Sequence, residues 1–392
     1  MSNDLKPHIL FLPSFYIDPD RPVLGIFFRE QALALQKVGC QVSVAYVEAR
    51  RIGVFRLKHI IENHGQISVE NEEGIPTMRL HGWNTLTQTF VGGLIWAVLT
   101  KILVNQYIKR YGRPDIIHAH NAYWAGYAGY LVWRMVKIPY VLTEHSSKFL
   151  LQDFRGQPKW FCRVAYQNAS RVLAVSNAER GAIARYVAEE KCDVVPNCVD
   201  TEFFTFPPVQ AKSDNFVFLA IAHFSSNKGF DVLLRAFAQK FKGDKRTYLR
   251  IGGDGSIRNQ LVSLCCELQI QSQVQFLGAL SKQEVRIAMW SANAFISSSF
   301  HETFGVVLIE AMATGLPVIA TKSGGPNDIV TNKVGMLVEV GDVSALANSM
   351  QNLRYDNHFD REIIRNEIIS KYAPPVFAKK VVNVYKGILE KY

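Results

Sequence analysis

Glu302 and Glu310 stand in the stretch SSSFHETFGVVLIEAMATG over residues 297–315. The apolar run Ala294–Ile296 before them reads as a strand end, the polar residues as a loop, and Gly305 as the start of a helix. A helix start presents unpaired N–H groups and a partial positive charge, which together suit a phosphate. Gly305 lets a ligand come close to the backbone, and the amides of Val306 and Val307 follow directly. A carboxylate beside a phosphate repels it, so Glu302 and Glu310 are better suited to accept hydrogen bonds from hydroxyls, as sugars and ribose supply them. A second constellation, AHFSSNKG over residues 222–229, follows the apolar run Phe216–Ile221. Lys228 in that turn can neutralise a departing diphosphate. The bland alternatives are a solvated lysine and a solvated helix glutamate.

Three histidines form a further group. His118 and His120 lie two apart in DIIHAH, so on a strand both project to one side. His145, in TEHSS at the end of the next apolar run, is a weaker candidate for the same neighbourhood. Zinc takes three or four such ligands and His145 is the only obvious addition, so no metal is expected. Asp18-Pro19-Asp20 is an Asp-x-Asp triplet that reads as turn chemistry.

The elements that must position these residues alternate strand and helix almost end to end. Buried strands are expected at His8–Leu12, Gln41–Val47, Asp115–Ile117, Tyr140–Leu142, Arg171–Val175 and Asp193–Val195. A second series runs Phe216–Ile221, Tyr248–Ile251, Val274–Phe276, Ala294–Ile296, Val318–Ala320 and Met336–Val338. Helical stretches fall between, and FFTFPPVQAKSDN over 203–215 is the best linker. The expectation is α/β: two doubly wound Rossmann-like domains facing across a cleft, with chemistry at strand-to-helix turns. The domains are 1–206 and 207–374, with 375–392 crossing back onto the first.

On these residues the chain resembles glycosyltransferase family 4, retaining enzymes with the GT-B fold. Glu302 and Glu310 match its E-x7-E motif. Gly25 with FFREQALAL is similar to its amino-terminal glycine loop, DIIHAH to the strand carrying a cleft histidine, and VPNCVDTEF to the entry of the linker. GGDG at 252–255, VQFLG at 274–278 and Gly324–Gly325 agree in order. The resemblance implies that Glu302 contacts the donor sugar and Glu310 the nucleotide ribose. The amides at Gly305, Val306 and Val307 hold the diphosphate, and His120 helps to position the reacting sugar. The family's arginine five positions before Lys228 is replaced by His223, which lacks a guanidinium fork. The donor implied is a nucleotide-diphosphate sugar and the acceptor a saccharide or lipid-linked hydroxyl, with cell-surface polysaccharide or glycolipid synthesis as the setting. No cofactor or metal is required. No carboxylate nucleophile is assigned, and Glu302 is the candidate if one operates. A nucleotide-sugar epimerase on the same fold and a non-catalytic nucleotide-sugar-binding homologue remain alternatives. A dehydrogenase is disfavoured, because no G-x-G-x-x-G follows a strand.

Composition bounds the rest. The 392 residues are 48% hydrophobic with 24 Phe and 15 Tyr, enough for two cores and unlike a disordered chain. The six cysteines include no C-x-x-C pair, which fits a reducing compartment. The first residues leave no room for a secretory signal, so the expected location is the cytoplasm, with the inner face of the membrane as a further possibility. Net charge is +10 without a basic tail or arginine block, and nucleic acid is not expected as a partner. Local excesses occur at Arg50, Arg51, Arg56, Lys58 and at Lys101, Lys109, Arg110, Arg113. The second ends the stretch FVGGLIWAVLTKILV over Phe90–Val104, too short to span a bilayer, which needs about 20 apolar residues. It reads either as a buried helix or as one lying against an anionic membrane.

Overall fold

In the computed structural model the described residues are 6–17, 24–50, 65–83, 86, 89–151, 159–208 and 214–392. They form two compact units: Met1–Asn197 together with Pro374–Tyr392, and Cys198–Ala373. The division after Asn197 precedes the linker expected from sequence. Residues 201–205 are held by second-unit side chains: Arg365 donates to the carbonyls of Thr201 and Phe204, and Trp290 Nε1 to that of Thr205 at 2.7 Å. Asp18, Asp20, Arg51, Arg56 and Lys58 lie outside the described residues.

The first unit is built on an eight-stranded sheet. Its strands are β1 (His8–Pro13), β2 (Gln41–Arg50), β3 (Ile67–Glu72), β4 (Ile75–Trp83), β5 (Ile116–His120), β6 (Tyr140–Glu144), β7 (Arg171–Ala174) and β8 (Cys192–Val194). Their order is β3-β4-β2-β1-β5-β6-β7-β8, parallel throughout except for the β3/β4 pair. The β5 and β6 residues are all buried, as expected of parallel strands covered on both faces. Period-two alternation divides the side chains. Leu10, Leu12, Ile117 and Ala119 enter the core with Trp96, Leu103 and Tyr107 from the helix Phe90–Tyr111. Phe11, His118 and His120 turn to the opposite face, where Phe28 of the helix Ile26–Lys37 and Tyr385 of the helix Pro374–Leu389 meet them.

The second unit has six parallel strands: β9 (Phe216–Ile221), β10 (Thr247–Gly252), β11 (Val274–Gly278), β12 (Ala294–Ser297), β13 (Val318–Thr321) and β14 (Gly335–Val338). Their order is β11-β10-β9-β12-β13-β14. The chain winds outward in one direction from β9 to β11, then returns to start the other half at β12. The β9/β12 boundary is therefore a topological switch point, where loops at the carboxyl ends of the strands diverge and leave room for a ligand.

Three expectations change. The hairpin β3–β4 is absent from the sequence reading: β3 carries ISVENE, largely at the surface, and β4 buries Arg79 and His81. Partners make this tolerable, since Arg79 pairs with Glu72 and His81 Nδ1 lies 3.0 Å from Glu48. The helix at Phe90 runs to Tyr111 rather than Val104, because Tyr107 continues its buried stripe, and it stops at Gly112 with φ 87°. The apolar stretch Ala122–Val136 after β5 reads from sequence as a single helix, but it begins as a turn of π-helix, Asn121–Gly126, with Asn121 in the left-handed region.

Candidate active site

In the second unit, the loops after β9 and β12 bring Lys228 and Glu302 together: Lys228 Nζ donates to Glu302 Oε2 at 2.6 Å. Their side chains retain 23% and 18% of their exposure, so the pair is sheltered yet open to a ligand. The two loops are tied by backbone. Phe300 N donates to the Asn227 carbonyl at 2.8 Å, and Ser298 Oγ to the Lys228 carbonyl at 3.0 Å. A Cβ on Gly229, at φ +60°, would sit 2.2 Å from the Ser298 carbonyl oxygen, so this contact admits only glycine. Glu302 is held in turn by the segment after β13. Its N–H donates to the Ser323 carbonyl at 2.9 Å, and its carbonyl accepts from Gly325 N at 2.8 Å.

Gly305, left-handed at φ 100°, begins the helix Val306–Ala313. The Val306 and Val307 amides belong to its first turn, without an intrahelical acceptor. Glu310 lies half-buried one turn further on. His223 is exposed in the turn that carries Lys228. The switch point thus has one cation, one carboxylate beside it, a helix start and a second carboxylate. This set can hold a diphosphate and hydroxyl groups together.

In the first unit, Gly25 precedes the helix Ile26–Lys37, and Phe28 N donates to its carbonyl at 3.0 Å. His120 ends β5 fully buried, its ring between those of Phe11 and Phe28. Its Nδ1 lies 3.2 Å from His145 Nε2, so one proton serves that contact and neither ring is free to choose its tautomer alone. His118 stacks on His120 with centroids 4.4 Å apart, and hydrogen-bonds Tyr385 and Thr143 at 2.6 Å each. Burial keeps all three rings neutral. It pushes His118 and His145 down to about 3 and His120 well below the ordinary imidazole value. His120 Nε2 and His145 Nδ1 are buried without a partner among the described residues. Although the three rings are neighbours, no group of three or more His, Cys, Asp or Glu arranged for a metal occurs among the described residues.

Glu144 escapes the sequence reading. It ends β6, fully buried, and accepts from Tyr166 Oη at 2.6 Å and from the amides of Ala122, His145 and Ser146. Burial pushes its carboxyl up against those hydrogen bonds. It fixes the backbone at His145 and so the ring facing His120. The one available signal is a carboxylate closing the apolar run YVLTE.

Two units, each built on a largely parallel sheet covered by helices, place the chain in the GT-B fold class. Residues 24–203 match the family model Glycosyltransferase Family 4, and residues 202–369 match Glycosyl transferases group 1. Across these two halves the chain belongs to the family-4-like glycosyltransferases. An uncharacterized glycosyltransferase of Methanocaldococcus jannaschii is 26% identical over 70% of this chain and 76% of its own length. Alpha-monoglucosyldiacylglycerol synthase of Streptococcus pneumoniae is 26% identical over 56% of this chain, and the match spans about half, 54%, of that relative. A Bacillus subtilis glycosyltransferase provisionally named for teichuronic acid biosynthesis is 25% identical over 91% of both chains. Among solved structures, sucrose-phosphate synthase from Thermosynechococcus elongatus superposes with TM-score 0.81 at 20% identity, covering 98% of this chain and 100% of that one. Anabaena HepE in complex with UDP-glucose gives 0.73 at 20% identity, over 97% and 100%.

Proposed function

We propose that the protein transfers a sugar from a nucleotide-diphosphate donor to an acceptor hydroxyl with retention at the anomeric carbon. The observation that carries this reading is the Lys228–Glu302 pair at the β9/β12 switch point, beside the helix start at Gly305. The donor's diphosphate lies on the Gly305, Val306 and Val307 amides, where the helix dipole favours negative charge. Glu310 accepts from the ribose and Glu302 from a sugar hydroxyl. Lys228 then shares its charge between Glu302 and the diphosphate.

The bond from the anomeric carbon to the diphosphate oxygen breaks with its electron pair leaving on the nucleoside diphosphate. Lys228 and the helix amides stabilise the charge that develops there. The acceptor oxygen forms its bond on the same face, and its proton passes to the departing phosphate oxygen. The balance closes without a metal or a carboxylate nucleophile. His120, expected to help position the reacting sugar, is fully buried with Nε2 closed to solvent, so this reading gives it no direct contact with the donor. The class of acceptor proposed is a saccharide or lipid-linked hydroxyl in surface-polysaccharide or glycolipid synthesis. Two relatives bear names of that kind.

The test is a panel of UDP-, GDP- and dTDP-sugars, scored by melting temperature, donor hydrolysis and transfer. One donor is expected to raise the melting temperature, and the product should keep the donor's anomeric configuration by NMR. Lys228→Ala and Glu310→Ala should each weaken donor affinity. If no nucleotide sugar binds or turns over, the reading fails; an epimerised nucleotide sugar as product would replace it.

A further inference from the structure

The helix Phe90–Tyr111 has two apolar faces. One is in the core through Trp96, Ala97, Leu103, Val104 and Tyr107, with Trp96 Nε1 donating to the Val47 carbonyl at 3.2 Å. The other looks outward, where a surface helix ordinarily shows polar residues. Its successive turns expose Val91, Ile95, Val98 and Ile102, the last two at 47% and 45%, and then Lys109 and Arg110. The helix is long and apolar enough to cross a membrane by length and composition, but its packed face rules out a span.

Neighbouring elements extend the surface. Phe90 stacks on Phe161 with centroids 4.8 Å apart and meets the ring of Trp160, half-exposed, at 5.9 Å. Trp160 lies near the start of the helix Lys159–Asn168, which also exposes Lys159 and Arg163. The helix Tyr127–Val136 packs beside both and exposes Arg134 and Met135. These three helices contain six Lys and Arg and no Asp or Glu at all. A solvated face normally mixes both signs, and a protein–protein face has no general reason to exclude every carboxylate. An apolar stripe with an aromatic side chain at one end and cations at its margins matches an anionic bilayer surface: side chains enter the acyl boundary while Lys and Arg meet headgroups.

We infer that this face of the first unit, the outward stripe of Phe90–Tyr111 with Trp160, docks on the surface of a membrane containing anionic lipid. Docking is independent of the transfer reaction: the residues involved are not those assigned to the donor, so either reading can fail without the other.

The experiment is co-sedimentation of the full chain with vesicles of phosphatidylcholine alone and with roughly one-third phosphatidylglycerol added. Binding is expected to the anionic vesicles at low salt and to fall steeply near 0.5 M NaCl, where the screening length is about 4 Å. Val98→Asp with Ile102→Asp should weaken it at least tenfold while leaving the melting temperature unchanged. Lys109→Gln with Arg110→Gln, both exposed, should weaken it on the order of 30-fold, about fivefold per cation, and serves if the first pair fails to fold. Absence of binding to anionic vesicles at low salt, or variants that bind like the parent, would overturn the inference. So would a concentration-dependent dimer that the aspartates dissolve, which would make a second copy of the chain the occupant.

Discussion

Lys228 and Glu302 make the clearest test of an individual contact. They are 2.6 Å apart and partly sheltered, and such pairs near a surface contribute only ~0–1 kcal/mol to stability. Glu302→Gln should therefore leave the melting temperature almost unchanged. If Glu302 holds a sugar hydroxyl whose alignment matters in the transition state, kcat should fall on the order of 10²-fold with a smaller change in KM. A large drop in melting temperature with kcat intact would make the pair structural. His118 allows a second test. Its folded ring stays neutral down to about pH 3, whereas the unfolded imidazole takes a proton below its ordinary value of 6.5. The stability linked to that neutral ring is complete above pH 6.5 and is lost as pH falls toward 3. His118→Gln removes the linkage while keeping a group that can reach Tyr385 or Thr143. The parent's advantage over the variant should then shrink by up to about 1.4 kcal/mol per pH unit between 6.5 and 4. A difference independent of pH, followed by urea titration across that range, would show the ring is protonated inside the fold.

Among elements, the loops after β9 and β12 depend on Gly229. Adding one methyl brings it 2.2 Å from a backbone oxygen that cannot swing away, at a φ that disfavours side chains. Gly229→Ala should lower stability by roughly 2–4 kcal/mol and weaken donor binding with it. Gly387, within the helix Pro374–Leu389, has nothing within 4 Å of an added Cβ, and Gly387→Ala should gain about 0.5–1 kcal/mol. Thermal melts of both variants compare the two directly; equal effects would refute the steric account. The same contrast explains what the sequence made legible. The helices Phe230–Phe241, Lys282–Trp290 and Val306–Ala313 each start at a local feature: glycine at 229 and 305, and the Ser281–Glu284 capping box. The six strands of the second unit announce themselves as short apolar runs, and with them the loops carrying Lys228 and Glu302. The β3–β4 hairpin did not, because Arg79 and His81 interrupt its apolar pattern and only pairing across the sheet supplies their partners. The environment of His120 was hidden for a similar reason. Phe28 packs on its ring from the first helix, Tyr385 holds the adjacent His118, and Glu144 fixes the backbone of His145; spacing along the chain carries no trace of such contacts.

At the scale of the whole molecule, the chain leaves its first unit after Asn197 and returns to it at Pro374. The returning helix Pro374–Leu389 buries Phe377, Val381, Tyr385 and Ile388, and packs along the helix Ile26–Lys37. Taking those four side chains out of water is worth ~6–12 kcal/mol as an upper figure. Ordering the helix offsets much of that gross figure, but a typical domain is stable by only about 5–15 kcal/mol net, so losing what remains is enough to unfold the first unit. Removing it would also leave His118 Nδ1 without Tyr385 in a site fully closed to water. The second unit, Cys198–Ala373, has its own core, including Phe218, Phe237, Leu249, Ile296 and Met350, to which the returning helix contributes nothing. A chain ending at Ala373 should therefore lose hydrogen-exchange protection in β1, β5 and β6 while β9, β10 and β12 remain protected. Nucleotide-sugar binding should persist in weakened form if the second unit supplies most of the donor contacts, and transfer should vanish. Loss of protection in both units together would show that the returning helix stabilises the molecule as a single cooperative block; protection retained in both would show that the first unit folds without it.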